Sequence, residues 1–286
     1  MKKSTQLSLV PGNRVMSVAH RGDHKNYPEN SIEGCLSAIL AGADIVEVDV
    51  AKTKDSVLIL MHDDSLTRTT NVATVRKSNS NLPESNNVND WTLEQLSQLK
   101  LLNGNGGSGA TVSNCSIPTL EDVIKVCNNR VFITLDKMER FDWTTDIMPL
   151  LAKHVAYRTV MLPYTYTDSL GFYDTNKLMD EIKQLSGYQS ALMSRVGSTD
   201  DLLTVALQIR LYSLPKVLRC GEYNATDTTK YNSYFGDYRI HIECLETSND
   251  TLDIWRQIDN EGYGIIVTND ICGLTKYIED TYVTNN

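Results

Sequence analysis

The stretch VAHRGDHKNYPENSIEGCLSAILAGADIVEVDV (residues 18–50) contains two apolar runs joined by a helical pattern. The second run, DIVEVDV (44–50), alternates valine with other side chains, which is typical of a strand. Between the runs, NSIEGCLSAILAG (30–42) begins with an Asn30-x-x-Glu33 capping-box pattern and stops at glycine, as helices do. Strand, helix and strand in this order predict a βαβ unit with parallel strands.

The same alternation continues along the chain. Helical patterns follow several of the strand-like runs, for example over 199–212 and 250–262. The eight apolar runs of strand length are 14–20, 44–50, 130–136, 158–164, 188–194, 216–222, 238–244 and 263–269. Eightfold alternation predicts an α/β fold, a (β/α)₈ TIM barrel. The 286 residues suit one such domain, for which roughly 250 residues are typical, so we interpret 1–286 as a single barrel.

One interval breaks this rhythm after the second strand. LILMHDD (58–64) reads as a continuation of that strand through a turn, and the next strand begins only at 130. The segment between them is rich in Asn, Ser and Gly and is too long for one crossover, so we predict a small inserted subdomain over 65–116. We predict that IPTLEDVIKVC (117–127) is the helix that returns to the barrel. For the NGNGGSG loop (103–109), a linker is favoured over a lid that closes on substrate.

Composition excludes some classes of protein. A net charge of −9 and a pI near 5.1 argue against a nucleic-acid-binding protein, because such affinity comes mainly from Lys and Arg at phosphates. No window approaches 18 apolar residues, so no membrane span is expected. No signal peptide is visible, which predicts a cytoplasmic protein unless a leader was removed, and then a periplasmic or secreted one. The six scattered cysteines are interpreted as mostly buried thiols rather than a disulfide framework.

Alternation along the strands predicts where the polar side chains point. In a barrel strand alternate residues face inward, and active sites collect at the carboxyl ends of the strands. If the valines of 44–50 pack outward against helices, Glu47 and Asp49 face the barrel interior near its mouth. The same count brings Asp136, His20 and His62 to that rim. Three carboxylates and two histidines are therefore expected together.

Three neighbouring acids repel one another unless protons or a cation intervene. An all-carboxylate set suits a hard divalent ion such as Mg²⁺ or Ca²⁺ better than zinc. Two histidines could move protons, and the guanidinium of Arg21 could bind phosphate oxygens. The constellation indicates metal-dependent cleavage of a phosphodiester, a small-molecule substrate.

Structural interpretations stand beside these functional ones. The acids could form a structural network, and Arg21 a salt bridge at the rim. Glu29 could lie in the first turn of the following helix or serve the substrate or the metal network. His24 and His154 are predicted to be exposed.

Several motifs in series resemble the glycerophosphodiester phosphodiesterase family. They are AHRG with the following PENS, GADIVEVDV, TKDSVLILMHDDSLTRTTN, WTLEQLSQL, IPTLEDVI and GIIVTND, in the family's order and at familiar separations. The resemblance covers about residues 15–275 and is strongest over 18–70 and 117–137. It implies a (β/α)₈ barrel with an insertion, and hydrolysis of a glycerophosphodiester to sn-glycerol 3-phosphate and an alcohol.

The resemblance also implies roles for individual residues. His20 and His62 would be the acid and base pair, and Arg21 would contact the phosphate. Glu47, Asp49 and Asp136 would hold one Mg²⁺ or Ca²⁺.

The sequence departs from the family at some of these positions. Asp136 stands where the family usually has Glu, and the family's lysine two residues later is Met138 here, with Lys137 adjacent. The seventh strand lacks the family's frequent tryptophan. We predict that Lys137 helps to bind the phosphate, and that Glu243, Arg219 and His241 form a more polar substrate pocket.

Two questions stay open from sequence. His20 could activate water or a substrate hydroxyl, the latter giving a cyclic phosphate first. The alternatives to a glycerophosphodiesterase are a phospholipase D-like or sugar-phosphodiester hydrolase on the same barrel, or a non-catalytic phosphodiester-binding module. The head group of the ester and the oligomeric state are not predicted.

Overall fold

A computed structural model describes residues 14–137, 140–156, 159–164, 192–195, 217–224 and 239–282. The strands are β1 Met16–Ala19, β2 Ile45–Lys52, β3 Leu58–Leu60, β4 Phe132–Asp136, β5 Val160–Tyr164, β6 Leu192–Arg195, β7 Val217–Glu222, β8 Arg239–Cys244 and β9 Ile265–Thr268. The helices are α1 Ile32–Ala41, α2 Val72–Ser78, α3 Leu93–Leu96, α4 Leu120–Cys127, α5 Trp143–Asp146, α6 Met148–His154, α7 Leu252–Glu261 and α8 Ile271–Tyr282, with a 3₁₀ turn at Val88–Asp90. The helix predicted over 199–212 lies outside the described residues.

Eight of these strands pair in parallel and close into a barrel. Their order is β1, β2, β4, β5, β6, β7, β8 and β9, and β9 pairs back with β1. Each of the eight corresponds to one of the apolar runs predicted from the sequence. The (β/α)₈ fold is therefore confirmed. β3 pairs antiparallel with β2, so the run at 58–64 returns along the second strand after a turn, as expected.

The barrel strands separate their side chains onto two faces. The outward residues of β2, Val46, Val48 and Val50, pack in one large cluster with apolar side chains of α4 and other helices. A smaller cluster fills the barrel interior and consists of Met16, Val18, Ile45, Phe132, Met161, Val217, Ile265 and Val267. Because Ile45 lies inside while Val46 and Val48 lie outside, Glu47 and Asp49 share the inward face, as the alternation predicts.

The segment between β3 and α4 has an apolar cluster of its own. Its centre is Trp91, which is fully buried and donates its indole N–H to the carbonyl of Ser85 at 2.8 Å. Around it pack residues of 51–117, among them Leu66, Leu96 and Leu101. The division of the chain into one barrel domain with an inserted subdomain over 65–116 stays a prediction.

The start of α1 differs from the sequence prediction by one residue. The N-cap is Ser31, whose Oγ accepts from the backbone N–H of Gly34 at 3.0 Å, so the Asn30-x-x-Glu33 capping box is wrong. Asn30 has a left-handed backbone with φ 56°, and its amide pairs with Asp49 instead. The predicted stop is confirmed, because Gly42 caps the helix with φ 92°.

The described helices were also assessed for length and hydropathy. None of those in the described parts of the chain is both long and apolar enough to cross a lipid bilayer.

Candidate functional site

Three carboxylates meet at the carboxyl ends of β2 and β4. The parallel register places Asp49 beside Asp136, with Glu47 one inward position earlier on β2. One oxygen from each of the three carboxylates lies within 4.8 Å of the others. Glu47 and Asp49 are buried and Asp136 is half-buried. The cluster that the sequence predicted at the barrel mouth is therefore present.

This cluster has the chemistry of a site for a hard divalent cation. Burial raises the pKa of Asp49, and the neighbouring Asp136 raises it further. Such crowding costs free energy that a cation bound between the carboxylates would offset. Oxygen donors at this spacing suit Mg²⁺ or Ca²⁺, so the residues fit the metal that the resemblance implies.

Arg21 lies against the acidic cluster. Its backbone is left-handed, with φ 54°, and its backbone N–H donates to Glu47 at 2.9 Å. Its guanidinium Nε lies 3.2 Å from Asp49, and Nη1 lies 3.3 Å from Glu29. The side chain is 15% exposed, so Arg21 forms half-buried salt bridges of the kind that the structural interpretation expects. Arg21 is held where its guanidinium faces the acids and the mouth.

Gly22 allows this arrangement to pack. It also has a left-handed backbone, with φ 78°, and a Cβ there would lie 2.9 Å from the carbonyl carbon of Gly34 in α1. Only glycine combines that conformation with such a close approach. The glycine of the His-Arg-Gly motif therefore sets how closely α1 packs beside the catalytic rim.

Glu29 does not lie in the first turn of a helix, because it precedes the N-cap. It is 2% exposed, and Arg68 donates to both of its oxygens at 2.7 and 2.8 Å. Arg21 contacts the same carboxylate from another side. Glu29 therefore pairs two arginines, and the helix-dipole interpretation is wrong.

Arg68 also holds the support of the second histidine. Its Nε and Nη2 donate to the two oxygens of Asp63 at 2.7 and 2.9 Å. Asp63 in turn lies 2.6 Å from Nδ1 of His62. The hydrogen bond from Arg68 holds the pKa of the Asp63 carboxyl well below its usual range. His62 is thus oriented by a carboxylate that stays ionised.

His20 has a different support. Its Nδ1 lies 2.7 Å from Oδ1 of Asn269, which follows β9. Burial lowers the pKa of His20 to about 3, and the positive charge of Arg21 contributes. His24, predicted to be exposed, is buried, and its Nε2 lies 2.8 Å from the same oxygen. The prediction for His24 is wrong because the turn after β1 folds this ring back against Asn269.

Other predicted residues lie around this centre. Lys137 is half-buried with φ 62°, and its backbone N–H donates to Asp136 at 2.9 Å. Glu243 is half-buried and His241 buried, both on the inward parity of β8. Arg219 pairs in register with His241, but its side chain lies outside the described part of the structure, as does Met138.

His154, also predicted to be exposed, is half-buried and lies 3.0 Å from Glu121. Glu121 belongs to α4 and His154 to α6. The cysteine interpretation is confirmed for five of the six, since all six are free thiols and only Cys272 is exposed.

The 103–109 loop makes hydrogen bonds to two residues of the site. The carbonyl of Gly104 accepts from the backbone N–H of Glu29 at 2.9 Å. The carbonyl of Asn105 accepts from Arg68 at 2.5 Å. These hydrogen bonds brace Glu29 and Arg68, the two residues that orient Arg21 and His62, and the choice between a linker and a lid stays a prediction.

Sequence reasoning missed Asp63, Arg68 and Asn269 as site residues. All three stand inside motifs that carried the family resemblance, HDDSLTRTTN and GIIVTND. An acid directly after a histidine is a usable signal, because imidazoles are commonly oriented by carboxylates. The pairing of Arg68 with Glu29 has no comparable signal, since the two residues lie 39 positions apart in the chain.

We expect Arg68→Ala to lower both stability and kcat. Glu29 would lose its principal partner in a buried position, which costs about 3 kcal/mol of unfolding free energy. Asp63 and His62 would lose their orientation, and kcat would fall about 10–100-fold. Urea unfolding and steady-state kinetics measure the two effects.

The control is Arg76→Ala, which removes an arginine bonded to Ser85 and Asn86 elsewhere in the insertion. Equal losses of stability and kcat in the two variants would contradict the role assigned to Arg68.

The pKa of His20 predicts how the metal-free protein responds to acid. Histidine in the unfolded chain has a pKa of about 6.5, and folding lowers that of His20 to about 3. Its contribution to stability is therefore complete above pH 6.5 and is lost as the pH falls toward 3. Between pH 7 and pH 5, measured in EDTA, the unfolding free energy of His20→Gln should fall by up to about 2 kcal/mol less than that of wild type. Parallel losses would exclude His20 as a source of the acid sensitivity.

Comparison with known proteins agrees with this geometry. Residues 20–158 match the model of the Glycerophosphoryl diester phosphodiesterase family. A glycerophosphodiester phosphodiesterase of Caldanaerobacter subterraneus subsp. tengcongensis is 35% identical over 120 residues. That match covers 42% of this chain and 43% of the relative, so the chain matches less than half the length of that protein.

Solved structures extend the likeness to the whole barrel. A glycerophosphoryl diester phosphodiesterase from Parabacteroides distasonis has a TM-score of 0.72 at 21% identity, covering 96% of this chain and 95% of that chain. An Oleispira antarctica phosphodiesterase, solved with the product sn-glycerol-3-phosphate, has a TM-score of 0.62 at 17% identity and covers 93% and 97%. At these identities the likeness shows the fold. Together with the family match, it confirms the resemblance: residues 20–158 match the Glycerophosphoryl diester phosphodiesterase family, and the barrel is the fold of its solved members.

Proposed function

We propose that the chain is a metal-dependent phosphodiesterase that hydrolyses glycerophosphodiesters to sn-glycerol 3-phosphate and an alcohol. The observation that carries the proposal is the placement of two differently supported histidines and Arg21 around one cluster of three carboxylates. The family match to residues 20–158 supports the reaction class. The product named for the Oleispira antarctica phosphodiesterase supports glycerol 3-phosphate as the retained fragment.

Glu47, Asp49 and Asp136 would hold one divalent cation, Mg²⁺ or Ca²⁺. When bound, such an ion neutralises phosphate charge and makes the phosphorus more electrophilic. The carboxylates contribute by being fixed in advance: Asn30 donates to Asp49 at 2.9 Å, and the backbone of Arg21 donates to Glu47. A site with its ligands already oriented needs little reorganisation when the substrate binds.

Arg21 would bind a non-bridging oxygen of the phosphate. Its guanidinium is anchored by Glu29 and Asp49, so little side-chain entropy is lost when it meets the substrate. Lys137, beside Asp136, would provide a second positive charge. Glu29 would act indirectly, because its carboxylate holds the guanidinium groups of Arg21 and Arg68 in place.

The two histidines would divide the proton transfers. His20 is neutral across the neutral pH range, because burial lowers its pKa to about 3, so its ring has a lone pair able to accept a proton, and we assign it the role of the base. The carboxylate of Asp63 orients the ring of His62 through Nδ1, and we assign His62 the role of the acid that protonates the leaving alkoxide. The base takes its proton either from water or from a hydroxyl of the substrate, and the second route gives a cyclic phosphate first.

The head group would contact the inward polar residues of β8, Glu243 and His241. We propose that these two residues, together with Arg219, whose backbone on β7 is in register with His241, favour a polar alcohol. If Glu243→Gln left the preference among head groups unchanged, this part of the proposal would be wrong.

The experiment follows the phosphorus by ³¹P NMR. Glycerophosphodiesters with choline, ethanolamine, glycerol and inositol head groups are incubated with the protein and Mg²⁺ or Ca²⁺. We expect glycerol 3-phosphate as the phosphorus product, with a transient cyclic phosphate only if a substrate hydroxyl attacks. Cleavage of other phosphodiesters alone would favour a phospholipase D-like or sugar-phosphodiester hydrolase. Binding without any cleavage would favour a non-catalytic module.

A further inference from the structure

Two imidazole rings converge on one oxygen behind the acidic cluster. Nδ1 of His20 lies 2.7 Å from Oδ1 of Asn269, and Nε2 of His24 lies 2.8 Å from the same atom. The two rings meet edge to face, with centroids 6.0 Å apart and planes at 80°. His24 is 5% exposed, so this contact is an interior one.

The identity of that oxygen is fixed by the other contacts of Asn269. The side-chain Nδ2 donates to the carbonyl of Leu245 at 2.8 Å, and a carbonyl can only accept. The atom at the other end of the amide, facing the two rings, is therefore the oxygen. The backbone N–H of Asn269 donates to Asp250 at 2.8 Å, which anchors the residue on the segment before α7.

This geometry determines which ring nitrogens carry protons. An amide oxygen has two lone pairs and no proton, so each nitrogen that bonds to it must be the donor. His20 is then protonated on Nδ1, and His24 on Nε2. In neutral His20 the remaining nitrogen, Nε2, has a free lone pair and is the atom able to accept a proton.

We propose that Asn269 and His24 are positioning residues that hold His20 in the Nδ1–H tautomer with Nε2 as the proton acceptor. The use of that nitrogen as the base rests on the proposed function. His24 occupies the second lone pair of the amide oxygen and packs against the edge of the His20 ring, so neither ring can turn without breaking a hydrogen bond.

The support of His20 contrasts with that of His62. Asp63 places a full negative charge 2.6 Å from Nδ1 of His62. Asn269 offers His20 the same orientation with a neutral acceptor. A carboxylate stabilises the protonated ring, whereas an amide fixes the tautomer without adding that stabilisation. The two partners therefore give chemically different roles to two otherwise similar histidines.

The direct test is ¹⁵N NMR of histidine-labelled protein, which reports which ring nitrogen is protonated. The chain has five histidines, so each ring can be assigned by single substitution. We expect His20 in the wild type to be protonated on Nδ1 alone at neutral pH. Asn269→Ala should give a mixture of tautomers, whereas Asn269→Asp, which keeps two acceptor lone pairs, should preserve Nδ1–H.

Kinetics then separate positioning from binding. Asn269→Ala should lower kcat about 10–100-fold while KM changes by less than about three-fold. His24→Phe, which keeps the ring and loses the donor, should have a smaller effect in the same direction. Asn249→Ala, whose amide bonds to Glu222 and to the Tyr223 carbonyl, is the control and should change neither tautomer nor kcat.

Either of two results would overturn the proposal. One is wild-type His20 protonated on Nε2; the other is an unchanged Nδ1–H tautomer in Asn269→Ala. If Asn269→Ala does not fold, the wild-type tautomer and the Asn269→Asp variant still decide the question. A protein with the expected tautomer that cleaves no glycerophosphodiester would contradict the proposed function and leave the role of Asn269 in place.

Discussion

Replacing His62 by alanine is expected to lower kcat for a glycerophosphodiester with an alkyl head group by about 10²–10⁴-fold. An alkoxide is a poor leaving group unless it is protonated as it departs. His62, oriented by Asp63 at 2.6 Å, is the residue that we assign to this step. The loss should be much smaller with a nitrophenyl ester, because nitrophenolate leaves without a proton. Steady-state kinetics on the two substrates measure the difference.

His20→Ala provides the necessary comparison, because a base is needed whatever group leaves. It should lower kcat for both substrates alike. His154→Ala, a half-buried histidine bonded to Glu121, should leave both rates near wild type. If His62→Ala lost the same factor on the alkyl and the nitrophenyl ester, the assignment of His62 as the acid would be wrong.

Replacing Asp49 by asparagine is expected to abolish the response of the protein to divalent metal. The change removes one of three anionic ligands from a buried site, and metal-supported kcat should fall at least about 10³-fold. A ligand that binds only the folded state raises the unfolding free energy, by about 2.7 kcal/mol at one hundred times its Kd. Wild type should therefore gain in Tm with Mg²⁺ or Ca²⁺, and Asp49→Asn should not.

The matched control is Asp64→Asn. Asp64 follows the His62-Asp63 pair but is 80% exposed, and its partner is Arg140 on the surface. Its substitution should leave the metal-induced rise in Tm intact. A rise in Tm that persisted in Asp49→Asn would place the metal somewhere other than the cluster of three carboxylates.

The parts of the fold that sequence predicts well are those set by local periodicity. In β2, three valines at 46, 48 and 50 alternate with Ile45, Glu47 and Asp49. Because helices cover only the outer face of the strand, the valines turn to that face and the acids turn inward. The same argument places Asp136 and His20 at the rim. Because parallel strands of a barrel end at one edge, knowing the parity of each strand is enough to bring these side chains together.

What the sequence does not predict depends on contacts between distant residues. The capping-box pattern predicts Asn30 as the N-cap of α1, but the amide of Asn30 is engaged by Asp49, and Ser31 is the N-cap instead. Likewise, the sequence alone would allow Arg68 to bind phosphate as readily as Arg21. The N–H groups of Arg68 are occupied by Glu29 and Asp63, because the inserted segment packs against the barrel and brings these carboxylates to it.

The central claim is that one divalent cation in the carboxylate cluster and two histidines together cleave a glycerophosphodiester. The most direct measurement is release of glycerol 3-phosphate from glycerophosphocholine and its three counterparts, in EDTA and after Mg²⁺ or Ca²⁺ is added back, for wild type and His20→Ala. The account predicts release by wild type that stops in EDTA, returns with the metal, and is lost in His20→Ala. Release that continued in EDTA, or that His20→Ala retained, would contradict it.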